Sequence, residues 1–259
     1  MQQIKSSALR QLQPARLLGS SRSTYTTRLA RNSEDIRSAQ SLRFSVFNVE
    51  LNEGLETSHA TGLDSDPFDE VCNHLLVEHQ TTGRIVGTYR LQTGTVAATR
   101  LGYYSEQEFD FAPFEAARAQ MIELGRACVH QQHRNLTVLG LLWKGIADYA
   151  RERGARYLIG CSSITSQSAP VGASAFADLC RHHLAPMEWQ TRPLPAFECP
   201  LDHLAEEKPN IPKLLRAYLS IGAKICGPPA LDRQFKTIDF LTLLDLHSLP
   251  ALVREKYLG

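Results

Sequence analysis

Residues 121–135 read MIELGRACVHQQHRN. Met121 to Val129 is an apolar run of strand length, bounded by a polar loop, and reads as a central strand buried on both faces. Inside it stand a carboxylate, Glu123, and a guanidinium, Arg126, with Gly125 between them. Immediately downstream, TVLGLLWKGIADYARERG (137–154) carries Leu139, Leu142, Trp143, Ile146, Ala147 and Ala150 on one helical stripe, and Gly154 is placed to end it. Next comes RYLIGCSS (156–163), a second buried strand. Upstream, NHLLVEHQ and RIVGTYRLQ flank a Thr81–Gly83 turn and read as a hairpin. SEDIRSAQSLRFSVFNVEL (33–51) has helical spacing, with Ser33 as the expected N-cap. SAFADLCRHHL (174–184) and PKLLRAYLSIG (212–222) are further helices, and residues 223–246 supply closing strands. Helices and strands in this order give an α/β sandwich with one central mixed sheet flanked by helices.

With 259 residues, 43% hydrophobic and 21% charged, the chain is sized for one elaborated soluble domain. Residues 1–27 read as a basic, disordered leader and 28–259 as the single folded domain. No run approaches the roughly 18 apolar residues a membrane-spanning helix requires. The six cysteines are dispersed without a CxxC pair, which suits buried thiols in a reducing compartment. Residues 1–33 hold six basic side chains and no acid. The rest of the chain therefore carries 22 basic against 27 acidic residues, and that net-acidic body argues against nucleic-acid binding. Neither GxGxxG nor GxxxxGK[ST] is present, and the histidines show no HExxH spacing, so nucleotide-dependent and zinc chemistry have no support.

Glu123 and Arg126 are three apart, so in a regular strand they point to opposite faces. A bulge at Gly125 would bring them to one face and free backbone N–H groups able to bind an acyl carbonyl oxygen. Two readings stand: a buried ion network joining these two to each other or to neighbours, or a functional site bearing the cost of buried charge. Arg43 and Arg90 also sit in apolar runs, where an aliphatic stem with a solvated head is the simpler alternative. Asp64, Asp66 and Asp69 lack the ladder of a calcium loop and read as an acidic loop or a site for a cationic substrate.

Taken together, LRFSVF, DSDPFDE, GRIVGTYRLQT, MIELGRACVHQQHR, LLWKGIADYARERG and GAKICGPPALDRQFKTIDFLTLLDL resemble the N-acyltransferases that begin ornithine-lipid synthesis. These belong to the Gcn5-related N-acyltransferase superfamily and are related to acyl-homoserine-lactone synthases. The resemblance covers about residues 28–246 and places the family's characteristic set on Arg43, Phe47, Asp66, Asp69, Arg90, Glu123 and Arg126. One departure concerns the pyrophosphate-binding loop of the acetyl-CoA enzymes, which is replaced by QQHRNLTVLG without its paired glycines. That fits a donor carrying one phosphodiester, the phosphopantetheine arm of an acyl carrier protein, with Arg134 as the expected phosphate contact.

The resemblance implies transfer of a long, 3-hydroxylated acyl chain from a thioester to an amino-acid α-amine, L-ornithine being the expected acceptor. Glu123 is the expected base, with Arg126 and Asp69 completing the catalytic set. N–H groups near Gly125 to Ala127 would face the oxyanion. Arg43 and Arg126 would position the carboxylates or bind the substrate carboxylate, and Asp66 and Asp69 would receive the cationic side chain. Phe47 and Arg90 are further substrate-site residues, and Trp143, with Leu141, Leu142 and Phe176, would line the acyl groove. No metal or redox cofactor is expected. The expected partners are an acidic acyl carrier protein and an amino acid, with cytoplasmic localisation and peripheral contact at the inner face of the membrane. Other acceptors such as glycine, homoserine-lactone synthesis, or a non-catalytic carrier-binding module are the competing functions.

Overall fold

A computed structural model describes residues 23–258. Its elements are β1 (Tyr25–Leu29), α1 (Ser33–Phe44), β2 (Asn73–His79), β3 (Arg84–Thr93), α2 (Gly94–Thr99), β4 (Met121–Val129), α3 (Leu136–Glu152), β5 (Tyr157–Ile164), α4 (Ala169–His183), α5 (Lys213–Ser220), β6 (Lys224–Ile225), β7 (Ala230–Asp232), β8 (Thr237–Asp245) and α6 (Ala251–Leu258). The strands form one eight-stranded sheet in the order β1-β2-β3-β4-β5-β8-β6, with β7 also on β8. Every pairing is antiparallel except β4 with β5. This is the mixed-sheet sandwich that the element order predicts.

The expected leader reaches too far. Tyr25–Thr27 already pair with Val77–His79, so the sheet starts inside residues 1–27, and residues 1–22 lie outside the described residues. The TYTTRL alternation is short and lies beside basic, polar sequence, which hides an edge strand. The cap of α1 is Asn32, whose side chain accepts from the Asp35 N–H at 2.9 Å, rather than Ser33. α4 begins five residues earlier than expected, and α6 is additional. α3 is capped by Asn135 and followed by Gly154 at φ +64°, as its composition requires.

Val138, Leu142 and Ile146 of α3 pack on Leu75, Val77, Leu91 and Leu158 of the sheet, forming the principal core. Tyr103, Phe109, Phe114, Met121 and Ile159 fill the opposite face, and α4 and α5 cover β8 through Leu179, Leu215, Ile238 and Phe240. Burying such side chains contributes roughly 1.5–3 kcal/mol each.

The sheet is interrupted at its centre. β4 and β5 pair at only three positions, Met121–Tyr157, Ile122–Leu158 and Glu123–Ile159. Immediately afterwards the backbones approach so closely that a Cβ on Gly160 would lie 2.2 Å from the Leu124 carbonyl oxygen. Only glycine fits there. Beyond that contact the strands separate, and the space between them is the mouth of the cavity described next.

Candidate active site

The cavity has a volume of about 540 Å³ and is lined by Glu123 to Ala127 of β4, Ile159 to Ser163 of β5, Arg90, Tyr104, Phe235 and an apolar end. Its position follows from the β4–β5 separation. A bulge accompanies it. Thr88 faces Cys128 and Arg90 faces Gly125, so Arg126 and Ala127 together oppose Tyr89. The bulge therefore lies one residue beyond Gly125, and Arg126 itself is left-handed at φ +50°. A non-glycine residue there costs about 1–3 kcal/mol, so the surroundings must hold it. Gly125 serves differently. A Cβ on it would meet nothing within 4 Å, so this glycine keeps the cavity wall bare.

What holds Arg126 is visible. Its guanidinium lies between the rings of Tyr104, 4.6 Å away, and Phe235, 4.4 Å away. It donates to Asp66 at 2.9 Å and has its Nε 3.4 Å from Asp64. Phe47 sits edge-on to Phe235 at 5.4 Å and supports that stack from behind. Arg90 donates to Asp66 at 2.6 Å and to Asp69 at 3.1 Å. Arg43 donates to Asp64 and Asp69, both at 2.7 Å, and also to the Asp64 carbonyl. Three arginines and three aspartates thus form one neutral block.

Burial favours protonated carboxyls, but Arg90 and Arg126 outweigh it at Asp66, and Arg43 and Arg90 at Asp69. Both therefore stay below the usual carboxylate range. Arg43 and Arg90 are fully buried, so the solvated-head alternative does not apply.

This block corrects two expectations. Asp66 and Asp69 have their oxygens taken by arginines, Gln40 and the Phe68 N–H, and neither lines the cavity. They are placed to position Arg90 and Arg126 rather than to receive a substrate cation. Arg43 likewise stands behind the wall. Glu123 and Arg126 do not pair with each other.

Glu123 is held differently. Its Oε2 accepts from the Tyr104 N–H at 2.7 Å, and its Oε1 accepts from the Ser105 N–H at 2.8 Å and the Ser105 hydroxyl. A carboxylate has about four lone-pair positions, so one on Oε2 stays open. Burial raises its pKa despite those three donors, moving it toward the range of a general base.

Among the other expected contacts, Ala127 and Trp143 line the cavity, Trp143 edge-on to Tyr218 at 5.4 Å. Leu141, Leu142 and Phe176 do not; the apolar end is instead built from Leu158, Leu214, Tyr218 and Leu244. Arg134 reaches the rim but is already bound to Glu50 through both terminal nitrogens, at 2.6 and 2.7 Å. A donor phosphate would have to compete with that carboxylate.

Sequence reasoning missed Tyr104, Phe235 and a second acidic group formed by Glu108, Asp232 and Asp239. Asp239 lies in TIDFLTLL, a carboxylate within an apolar run, the same signal that singled out Glu123. Glu108, in polar surroundings, carried no such mark.

Residues 42–144 match the acetyltransferase (GNAT) domain family. The chain is 33% identical to the L-ornithine Nα-acyltransferase of Rhodobacter capsulatus over 247 residues, covering 90% of this chain and 95% of the relative. The chain belongs to the L-ornithine Nα-acyltransferase family. The corresponding protein of Agrobacterium fabrum is 34% identical over 251 residues, 91% of this chain and 86% of its own. In three dimensions the family's fold is shared with the AHL synthase LasI, at a TM-score of 0.53 and 12% identity over 90% of this chain and 94% of that one. As a member of the family the protein is an N-acyltransferase. No helix among the described residues is long and apolar enough to cross a membrane.

Proposed function

We propose that this enzyme moves a long-chain, 3-hydroxylated acyl group from the phosphopantetheine thioester of an acyl carrier protein to the α-amine of L-ornithine, giving a lyso-ornithine lipid. The observation that supports the reading is Glu123 itself, a buried carboxylate with one lone pair unclaimed, in the wall of the cavity that opens where β4 and β5 stop pairing. An extended pantetheine arm fits a slot between two strand edges, where its amides can replace the missing ladder partners. The thioester would then lie beside Gly125, where no side chain obstructs it.

The neutral α-amine attacks the thioester carbonyl. Glu123, directly or through a water, takes the proton released as the C–N bond forms. Charge on the carbonyl oxygen is met by backbone N–H groups of the Gly125–Ala127 segment, and Arg126 adds positive potential. Collapse breaks the C–S bond, and the thiolate leaves with a proton. Arg43, Asp64, Asp66 and Asp69 fix Arg90 and Arg126 in place, while Phe47 and Phe235 hold the Arg126 ring stack. Trp143, Tyr218 and the leucines of the apolar end receive the acyl chain. No metal or redox cofactor is required by this sequence of steps. The reaction sits in the cytoplasm at the inner face of the membrane, where the single-chain product partitions weakly into lipid.

The test supplies purified protein with 3-hydroxyacyl carrier protein, the matching acyl-CoA and a panel of amino acids, and identifies products by mass spectrometry. Ornithine with the carrier-protein donor is expected to be used best. Equal use of acyl-CoA removes the donor assignment, and a preference for glycine or another amine removes the acceptor assignment.

A further inference from the structure

The acidic group that the proposed mechanism leaves unused lies in the same cavity. Side-chain oxygens of Glu108, Asp232 and Asp239 are all within 4.8 Å of one another, and the residues are 1%, 4% and 3% exposed. Asp232 Oδ1 accepts from the Gln234 and Phe235 N–H groups at 2.8 and 2.9 Å, and Asp239 Oδ2 from the Thr237 hydroxyl at 3.0 Å. Glu108 Oε2 is 3.8 Å from the Cys161 sulfur. Glu108 Oε1 and Asp239 Oδ1 are buried with no partner at all. Among the described residues no Arg, Lys or His forms an ion pair with any of the three.

Three buried carboxylates with no cation in ion-pair contact, and only the Arg126 charge nearby, are costly unless a cation or a proton joins them. Asp232 and Asp239 open onto the cavity, so the cation can be one that enters with substrate. An alkylammonium brings one positive charge and three N–H donors, which matches two orphaned oxygens and a third carboxylate.

Position supports the same occupant. Ile159 pairs with Glu123, and Cys161, which touches Glu108, lies two residues further along the same strand. Two strand residues span about 7 Å. In ornithine the α-carbon and side-chain nitrogen are separated by four bonds of about 1.5 Å, roughly 5 Å end to end. An α-amine at Glu123 therefore puts the far nitrogen at the level of the triad.

We propose that Glu108, Asp232 and Asp239 bind the side-chain ammonium of the acceptor and select a diamino acid of ornithine's length. This inference rests on the acceptor reading proposed above. In the empty site a proton shared by Glu108 and Asp239 satisfies their facing oxygens. Glu53, Tyr104, Arg126 and Cys161 are the other ionisable groups around them. The ammonium displaces that proton, so the site's charge is conserved.

The experiment compares kcat/KM for L-ornithine, L-norvaline (the same skeleton without the ammonium), L-lysine and L-2,4-diaminobutyrate. Wild-type enzyme is expected to prefer ornithine over norvaline by about 100-fold or more, because a site built to bind a polar group rejects the analogue lacking it. In Asp239→Asn that ratio is expected to fall at least ten-fold. An equal loss on both substrates, or a wild-type enzyme indifferent to the ammonium, overturns the assignment while leaving the acyltransferase reading intact. Failure to acylate any amino acid sinks the acyltransferase reading instead.

Calorimetry on the wild-type protein then decides the triad without turnover or a variant. In buffers of different ionisation enthalpy, ornithine binding at neutral pH should release one proton more than norvaline binding does. Equal proton release by the two ligands overturns the proposal. So does a stoichiometric divalent metal in the purified wild-type protein that is lost in Asp239→Asn.

Discussion

Replacing Gly125 by valine separates the fold from the function more cleanly than any change to a charged residue. A Cβ at this position meets no atom within 4 Å, and the residue pairs with Arg90 in regular register on one side while its other face opens on the cavity. Valine suits a strand better than glycine on a scale spanning about 1 kcal/mol. It also restricts the unfolded chain, which adds about 0.4–1 kcal/mol of stability. Urea unfolding should therefore show a protein as stable as wild type or about 1 kcal/mol more so.

Activity should move the other way. The new methyl groups occupy the place assigned to the thioester, and overfilling a packed space costs about 1–3 kcal/mol. That corresponds to a loss of about 5–150-fold in kcat/KM. The control is Gly160→Ala, whose Cβ would collide with the Leu124 carbonyl at 2.2 Å and should destabilise by about 2 kcal/mol or more. A Gly125→Val enzyme that retains at least half of wild-type kcat/KM would show that the donor does not pass Gly125. One that loses stability would show that the wall is not bare.

Arg43→Met removes the partner of Asp64 and Asp69 at fully buried positions and should cost about 3–5 kcal/mol in urea unfolding. Arg134→Ala breaks a half-exposed pair with Glu50 and should cost under about 1 kcal/mol; similar costs for the two would refute the neutral-block description. Glu123→Gln keeps the side chain's shape but sets an amide N–H against a backbone N–H. We expect about 1–3 kcal/mol of destabilisation and a fall in kcat of about 10²–10⁴, and a fall below ten-fold removes Glu123 from the base role.

For pH, burial and the Asp232 charge raise Asp239 to about 6, above the usual aspartate value. The folded state then holds a proton the unfolded chain has lost, so this residue's contribution to stability declines as pH rises from about 4 to 6 and stays low above. Asp66 and Asp69, with depressed pKa values, act oppositely: their stabilisation is present above about pH 4 and lost in acid. Unfolding curves of wild type and Asp239→Asn should diverge in the variant's favour by about 1–3 kcal/mol between pH 4.5 and 7.5; parallel curves would contradict the raised value.

Much of the fold was legible because its elements are strongly periodic. The β2–β3 hairpin, the buried β4 run and the α3 stripe each announce themselves within a dozen residues. β1 and α6 are short and polar at their flanks, and only pairing or docking stabilises them, so local sequence could not reveal them. In the site, charged residues inside apolar runs led to Glu123, Arg126, Arg90 and Arg43. What sequence could not supply was who answers whom. The aspartates of the 64–69 loop look like bait for a cationic substrate until the loop folds against three arginines and is neutralised there. The acidic residues left without a cationic partner are Asp232 and Asp239, which share the β7–β8 hairpin, and Glu108, from a loop far upstream that only the fold brings to them. Gly125 and Arg126 show a finer failure: the glycine looked like the hinge, yet the strained backbone belongs to the arginine, whose ring stack and ion pairs hold the conformation.

The three-pair seam between β4 and β5 has a mechanical consequence. It divides the sheet into halves, β1 to β4 on one side and β5 to β8 on the other, joined at the centre by little more than one end of a ladder. The line proposed for donor entry is therefore also the line of least resistance to opening. An acyl-pantetheine arm lying in that slot would act as a temporary ninth strand, closing the breach while it is loaded. The enzyme would be at its stiffest when charged with donor and slackest after the acyl group departs, so release of the spent carrier coincides with the sheet regaining its freedom to part.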